Sequence, residues 1–167
     1  GLGDVYKRQG QRQPSSLKNA WKFSLDLRLS KKKLDKVFQI LSVHFKDKKS
    51  FQVNKIYNVL NCLIANLIYA KRINQKGYVR YSREYTDYRR TTYNKLNISS
   101  QYLKSVINTL SESNYLENVK GVNSVFLSRV KATSVLENIL NEVDTNISDI
   151  YFDTVSYTHL RAHETSL

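Results

Sequence analysis

Little in this sequence can be assembled into a catalytic centre. The 167 residues hold one cysteine, one proline, one tryptophan, five glycines, three histidines and no methionine. A single thiol, Cys62, excludes an internal disulfide and suits a reducing compartment. It lies in an apolar stretch at helical spacing, where a packed thiol is expected rather than a nucleophile. The few glycines form neither a G-x-x-x-x-G-K-[ST] loop nor a G-x-G-x-x-G turn, which removes the common backbone cradles for nucleotide phosphates. Acids are the scarce charge, 14 against 27 lysines and arginines. Asp26, Asp35, Asp47, Glu84, Asp87, Glu112 and Glu117 are scattered through polar stretches, without the pairing that two-carboxylate or two-metal chemistry needs. No apolar run is long enough to span a bilayer and no signal-type segment occurs. These absences predict a chain that is not an enzyme, holds no cofactor or metal, has no membrane partner and works in the cytoplasm.

Two terminal stretches stand apart. Gly1–Gln9, GLGDVYKRQ, back-translates without strain to a transposase-type sequencing adapter, and VSYTHLRAHET, from Val155 to Thr165, to the same adapter in the opposite direction. Residues 1–9 and 155–167 are therefore expected to be adapter-derived and to contribute nothing to fold or function. The stretch between them is expected to be a piece of a longer protein. One trap disappears with the ends, because His159 and His163 at i, i+4 beside Glu164 otherwise suggest a helical metal site. His44 is then the one histidine left, and a lone histidine is more often a packing or surface residue than a ligand.

What is present is positive charge. Setting aside Lys7, Arg8 and Arg161 leaves 24 bases and setting aside Asp4 and Glu164 leaves 12 acids, so the balance stays near +12. In a short domain that excess points to an anionic partner, nucleic acid before a membrane surface, with solubility alone as the bland alternative.

Residues 10–19 are polar, carry Pro14 and read as a loop. Phe23, Leu25, Leu27 and Leu29 alternate with Ser24, Asp26 and Arg28 in a strand-like pattern, although so short a run also fits a helix. From Lys31 to Lys46 the residues Leu34, Val37, Phe38, Leu41 and Phe45 make a helical stripe. Lys31, Lys32, Lys33, Lys46, Lys48 and Lys49 crowd its ends, either touching phosphate or merely solvating them. Ser50 is expected to cap the strongest helix, where Val53, Ile56, Tyr57, Leu60, Leu63, Ile64, Leu67 and Ile68 keep the spacing until Gln75-Lys76-Gly77. Tyr78 to Ser82 is a short β-prone run, expected to pair with the hairpin strands further on as the third strand of a small sheet. Next, Arg83, Arg89, Arg90 and Lys95 interleave with Tyr81, Tyr85, Tyr88 and Tyr93, bases for phosphate and rings for the backbone, for stacking or for the core. A short helix is expected over Thr91–Leu96, with Asn97-Ile98-Ser99 as a turn.

The most informative stretch follows. Ser99 or Ser100 can cap a helix whose Leu103, Val106, Ile107 and Leu110 form one stripe. The opposite stripe, Gln101, Lys104, Ser105 and Asn108, can meet base edges and phosphates and contains no acid. After Asn114 the period shortens. Tyr115, Leu116 and Val119 lead through the turn signal Gly121-Val122-Asn123-Ser124 to Val125-Phe126-Leu127, which runs back toward Arg129 and Lys131. Ser134 and Glu137 then form an S-x-x-E capping box before a closing helix with Val135, Leu136, Ile139, Leu140 and Val143 on its apolar face. Thr145 to Ser148 is turn-like, and Ile150-Tyr151-Phe152 begins a strand.

Helix, basic hairpin and helix, from Tyr78 to Val143, resemble the winged helix-turn-helix region of proteins on bacterial mobile elements, including plasmid and phage replication initiators. The resemblance rests on Leu96-Asn97-Ile98-Ser99, on Tyr115-Leu116 before Gly121, and on Ser128-Arg129-Val130-Lys131-Ala132-Thr133. The usual glycine before the Tyr-Leu strand is here Asn114, which also tolerates the left-handed conformation. The expected fold is mainly α with a small β-sheet, a winged helix-turn-helix over residues 51–145. An N-terminal extension with a basic helix, residues 10–50, precedes it, and the start of a further segment, 146–154, follows. The resemblance implies double-stranded DNA as partner, in replication initiation or transcription regulation. Gln101, Lys104, Ser105 and Asn108 are the base-side candidates. Arg83, Arg89, Arg90, Tyr93, Lys95, Ser100, Lys120, Arg129 and Lys131 are the backbone candidates. A homodimer or other replication proteins are further partners. A protein-docking winged helix and an accessory domain of a larger replication enzyme are the alternatives.

Overall fold

The computed structural model of the chain describes residues 20–48, 51–74, 76–81, 96, 98–121 and 128–153. The N-terminal part runs through β1 (Trp21–Lys22), β2 (Leu27–Leu29), α1 (Lys31–Leu41), a 3-10 turn (Ser42–Phe45), α2 (Val53–Ile73) and β3 (Val79–Arg80). There follow α3 (Ser100–Glu112), β4 (Leu116–Val119), β5 (Arg129–Ala132), α4 (Ser134–Glu142), a second 3-10 turn (Ile147–Asp149) and β6 (Ile150–Phe152). The chain is thus mainly α-helical with a small mixed sheet.

Helix α2 is the centre. Cys62, Leu63, Ile64, Ala65, Asn66 and Leu67 are all buried, so its middle is enclosed on every side, as a helix without a polar face must be. Each large side chain so buried contributes on the order of 1.5–3 kcal/mol. Its start differs from expectation: the N-cap is Gln52, extended at φ −101 and ψ 136, two residues past the expected Ser50, which lies outside the described residues. Phe51, with its ring 5.0 Å from that of Phe45, fixes the entry by packing instead. Val53 then falls in the first turn on the solvent side and is 68% exposed, outside the apolar stripe expected to include it. Past the helix, Gly77 takes φ +70 and its N–H donates to the Asn74 side chain.

The sheet has the order β1-β3-β5-β4, with β3, β5 and β4 antiparallel and β1 parallel to β3. The third strand beside the hairpin was legible in Tyr78–Ser82, and the fourth was not. The strand-like run Phe23–Leu29 is broken by a turn at Leu25-Asp26, and only Leu27–Leu29 remains extended there, paired antiparallel with β6. Arg28, expected to point outward, is 7% exposed. Its guanidinium donates to the Leu25 and Leu27 carbonyls and lies 3.8 Å from the Asp153 carboxylate, which is how a buried charge is tolerated. The β1–β3 pairing joins residues on either side of position 50, the β2–β6 pairing joins residues on either side of both 50 and 145, and one hydrophobic core runs from Phe23 to Val143.

Side-chain amides of α2 fasten the N-terminal stretch. The Asn66 Oδ1 accepts from Trp21 Nε1 at 2.9 Å and from Ser24 N at 2.8 Å, while its Nδ2 donates to the Ser24 carbonyl at 2.9 Å. One turn earlier the Asn61 Oδ1 accepts from Leu29 N at 2.6 Å. Helix α1 presents Leu34, Val37 and Leu41 to the core, and Phe45 continues that face in the 3-10 turn. No helix among the described residues is long and apolar enough to cross a membrane.

Candidate nucleic-acid interface

Helix α3 forms where its period placed it. Ser99 is the N-cap, its hydroxyl accepting from Tyr102 N at 3.1 Å, which leaves Ser100 as the first helical residue, half-buried. Leu103, Val106, Ile107 and Leu110 are buried, and Gln101, Lys104, Ser105 and Asn108 are all exposed on the opposite face. The four base-side candidates therefore share one surface. One turn beyond Asn108 that surface reaches Glu112, also exposed, so it is free of acid only over its first turns.

The far end of α3 closes with Asn114 at φ +64. Tyr115 N donates to Leu110 O at 2.8 Å and Asn114 N to Ser111 O at 3.0 Å, the paired bonds of a Schellman end. Asn114 thus does the work expected of it, turning the chain directly into β4. Thr133 locks that junction from the other side, since its hydroxyl donates to the Asn114 carbonyl at 2.7 Å and accepts from Leu136 N as the N-cap of α4. The expected Ser134–Glu137 capping box is therefore not formed: the extended Thr133 is the N-cap and Ser134 is already helical, so N3 is Leu136 and Glu137 lies one residue past the position that could bond back. Val135 consequently faces solvent at 39% exposure, while Leu136, Leu140 and Val143 turn inward.

The register of the sheet sorts the bases. Val79 pairs with Val130 on the buried side, so Arg80 and its partner Arg129 lie on the outer side, followed by Lys131 two residues along β5. Lys22, opposite Arg80 on β1, shares that face. Arg129 and Lys131 both pack on the ring of Tyr78, at 5.3 and 5.2 Å from its centroid. Among the described residues the buried Arg129 Nε has no hydrogen-bond partner. Lys131 Nζ lies 3.6 Å from the Glu117 carboxylate, so its charge is partly balanced within the protein. Lys120 is exposed immediately after β4, and Gly121 N donates to Ser128 Oγ at 2.9 Å across the open end of the strands. Tyr81 donates to Asn118 at 2.9 Å, and burial pushes its phenol up despite the Ser128 and Asn118 hydrogen bonds.

Arg83, Arg89, Arg90, Tyr93 and Lys95 lie outside the described residues, as do the expected strand Val125–Leu127 and most of the expected Thr91–Leu96 helix; Leu96 and Ile98 are buried. The return strand that is described is Arg129–Ala132. Sequence reasoning did not single out Tyr78, Arg80 or Lys22, whose common face exists only through strand pairing. The chain matches no protein-family model, no curated protein and no solved structure.

Proposed function

We propose that α3 and the β4–β5 hairpin are the recognition helix and wing of a winged helix-turn-helix, and that the protein binds duplex DNA. The reading rests above all on one observation: the exposed face of α3 offers Gln101, Lys104, Ser105 and Asn108 without an acid, and a strand pair bearing Arg129 and Lys131 follows it at once. Amide, hydroxyl and ammonium groups at this spacing read base edges in a major groove, which admits one helix. The acid at Glu112 sets the orientation, with the N-terminal turns of α3 in the groove and its C-terminal end turned away from phosphate. Ser100, Lys120, Arg129 and Lys131 hold the backbone, together with Arg83, Arg89, Arg90, Tyr93 and Lys95. The biological setting that fits the resemblance is replication initiation or transcription regulation on a mobile element.

A protein-docking winged helix is the second reading, favoured by the mixed charge of Glu112 and of the Glu117–Lys131 pair. Selection of preferred sites from random duplexes separates the two. Gln101→Ala and Asn108→Ala then relax preference at individual positions, each base contact being worth about 1–3 kcal/mol. Failure to enrich any sequence, or unchanged preference in both variants, removes α3 from base recognition.

A further inference from the structure

Beside α3 lies a basic surface built by the segment after α1 and the start of α2. The segment after α1 is seated along the flank of α3: His44 Nε2 meets Tyr115 OH at 2.9 Å just past the helix end. Phe51 stacks edge-on against Tyr102 in the first turn, with ring centroids 5.4 Å apart. Phe45 and Phe51 close the loop between them, and Lys48 N donates to Phe45 O at 3.1 Å. The aromatic side chains face inward, which turns Lys46 and Lys48 outward, and both are exposed. From α2, Lys55 reaches the same place, its Nζ 5.7 Å from the centroid of Tyr102. On the helical wheel Tyr102 adjoins the Gln101–Ser105 edge of the exposed face. Lys46, Lys48 and Lys55 therefore border the side of α3 that carries the base-side candidates. Asp47 is the one acid interleaved in this loop.

We infer that Lys46, Lys48 and Lys55 form a second row of phosphate contacts, so that the footprint on duplex DNA extends beyond helix and wing to the backbone flanking α3. The inference rests on the proposed DNA-binding reading and deepens it by assigning the segment after α1 and the first turn of α2 a share of the binding. Three ammonium groups on a fixed aromatic scaffold act as point charges without base preference, and each phosphate neutralised contributes about 0.9 to the log–log salt slope.

The test measures binding of the full chain to a random-sequence duplex across a salt series, for the wild type, for Lys46→Gln/Lys48→Gln/Lys55→Gln, and for Lys32→Gln/Lys36→Gln/Arg72→Gln as a charge-matched control at exposed positions of α1 and α2. The double variant Lys46→Gln/Lys48→Gln is run alongside, since it leaves the Lys55–Tyr102 contact intact. The expected result is a slope shallower by about 2–3 in the triple variant, by about 2 in the double variant and unchanged in the control. A triple-variant slope equal to that of the wild type, or an equal loss in the control, overturns the second row while leaving DNA binding by α3 in place. No binding by the wild type overturns both.

Discussion

Replacing Asn66 with alanine removes the hub that fastens the N-terminal strands to α2, and its cost can be worked out from the contacts. The side chain is fully buried and makes bonds to Trp21 Nε1, Ser24 N, Ser24 O and Cys62 O. Not all of these groups are stranded by the change. Cys62 O keeps its helical bond, and Ser24 O still accepts from Cys62 Sγ at 3.2 Å. Two donors, Trp21 Nε1 and Ser24 N, lose their acceptor. At the lower end of about 1–3 kcal/mol per unsatisfied group, with a small cavity added, the loss comes to about 3–4 kcal/mol. Urea denaturation reads this directly, because with a slope near 2 kcal/mol per molar the midpoint falls by about 1.5–2 M. Hydrogen exchange supplies the local half of the result: the amides of Trp21 and Phe23, which donate to Tyr78 O and Arg80 O, lose protection before the rest of the sheet. A loss below about 1 kcal/mol, or unchanged protection at those amides, refutes the argument that β1 is held by this side chain.

Other perturbations have equally definite outcomes. Burial pushes the Cys62 thiol up to about 12. Because the unfolded thiol titrates lower, near 9.0, its contribution to stability is complete below about pH 9 and is lost as pH rises toward 12. Alkaline titration of the melting temperature therefore shows a decline in that window that is shallower in Cys62→Ala, where phenols such as Tyr81 and Tyr102, also pushed up by burial, still contribute, and the folded thiol stays unreactive to a disulfide reagent at pH 8. Gly77→Ala places a Cβ 3.2 Å from Lys71 Cδ at φ +70 and costs about 1–2 kcal/mol by thermal denaturation. Leu103→Ala opens a cavity beneath α3 and costs about 2–5 kcal/mol, whereas Asn108→Ala on the opposite face leaves stability within about 0.5 kcal/mol. Lys120→Ala weakens duplex binding uniformly across sequences and makes the salt slope shallower by about one unit, and an unchanged slope removes Lys120 from the footprint.

How much was legible in the sequence depends on where the signal was stored. The exposed and buried faces of α3 came from a 3.6-residue period that a tertiary core only reinforces. Asn114 could be singled out because a left-handed helix end admits few residue types. The parallel pairing of Trp21–Lys22 with Val79–Arg80 left no trace, since two-residue strands carry no period and their partners are far apart in the chain. Arg28 was misplaced for a related reason: alternation predicts polar side chains outward, but β2 lies against α2 and its guanidinium finds carbonyls and Asp153 inside. The caps slipped by one or two residues where several candidates stood together, and packing of Phe51 or the hydroxyl geometry of Thr133 decided between them.

The central claim is that this basic, acid-poor surface binds duplex DNA, and fluorescence anisotropy of the full chain with a random-sequence duplex at two salt concentrations tests it most directly. The account predicts binding at low salt that falls steeply at high salt, as release of counterions from several phosphates requires. Absence of duplex binding at low salt contradicts it, and leaves docking on a protein partner as the role for the exposed face of α3.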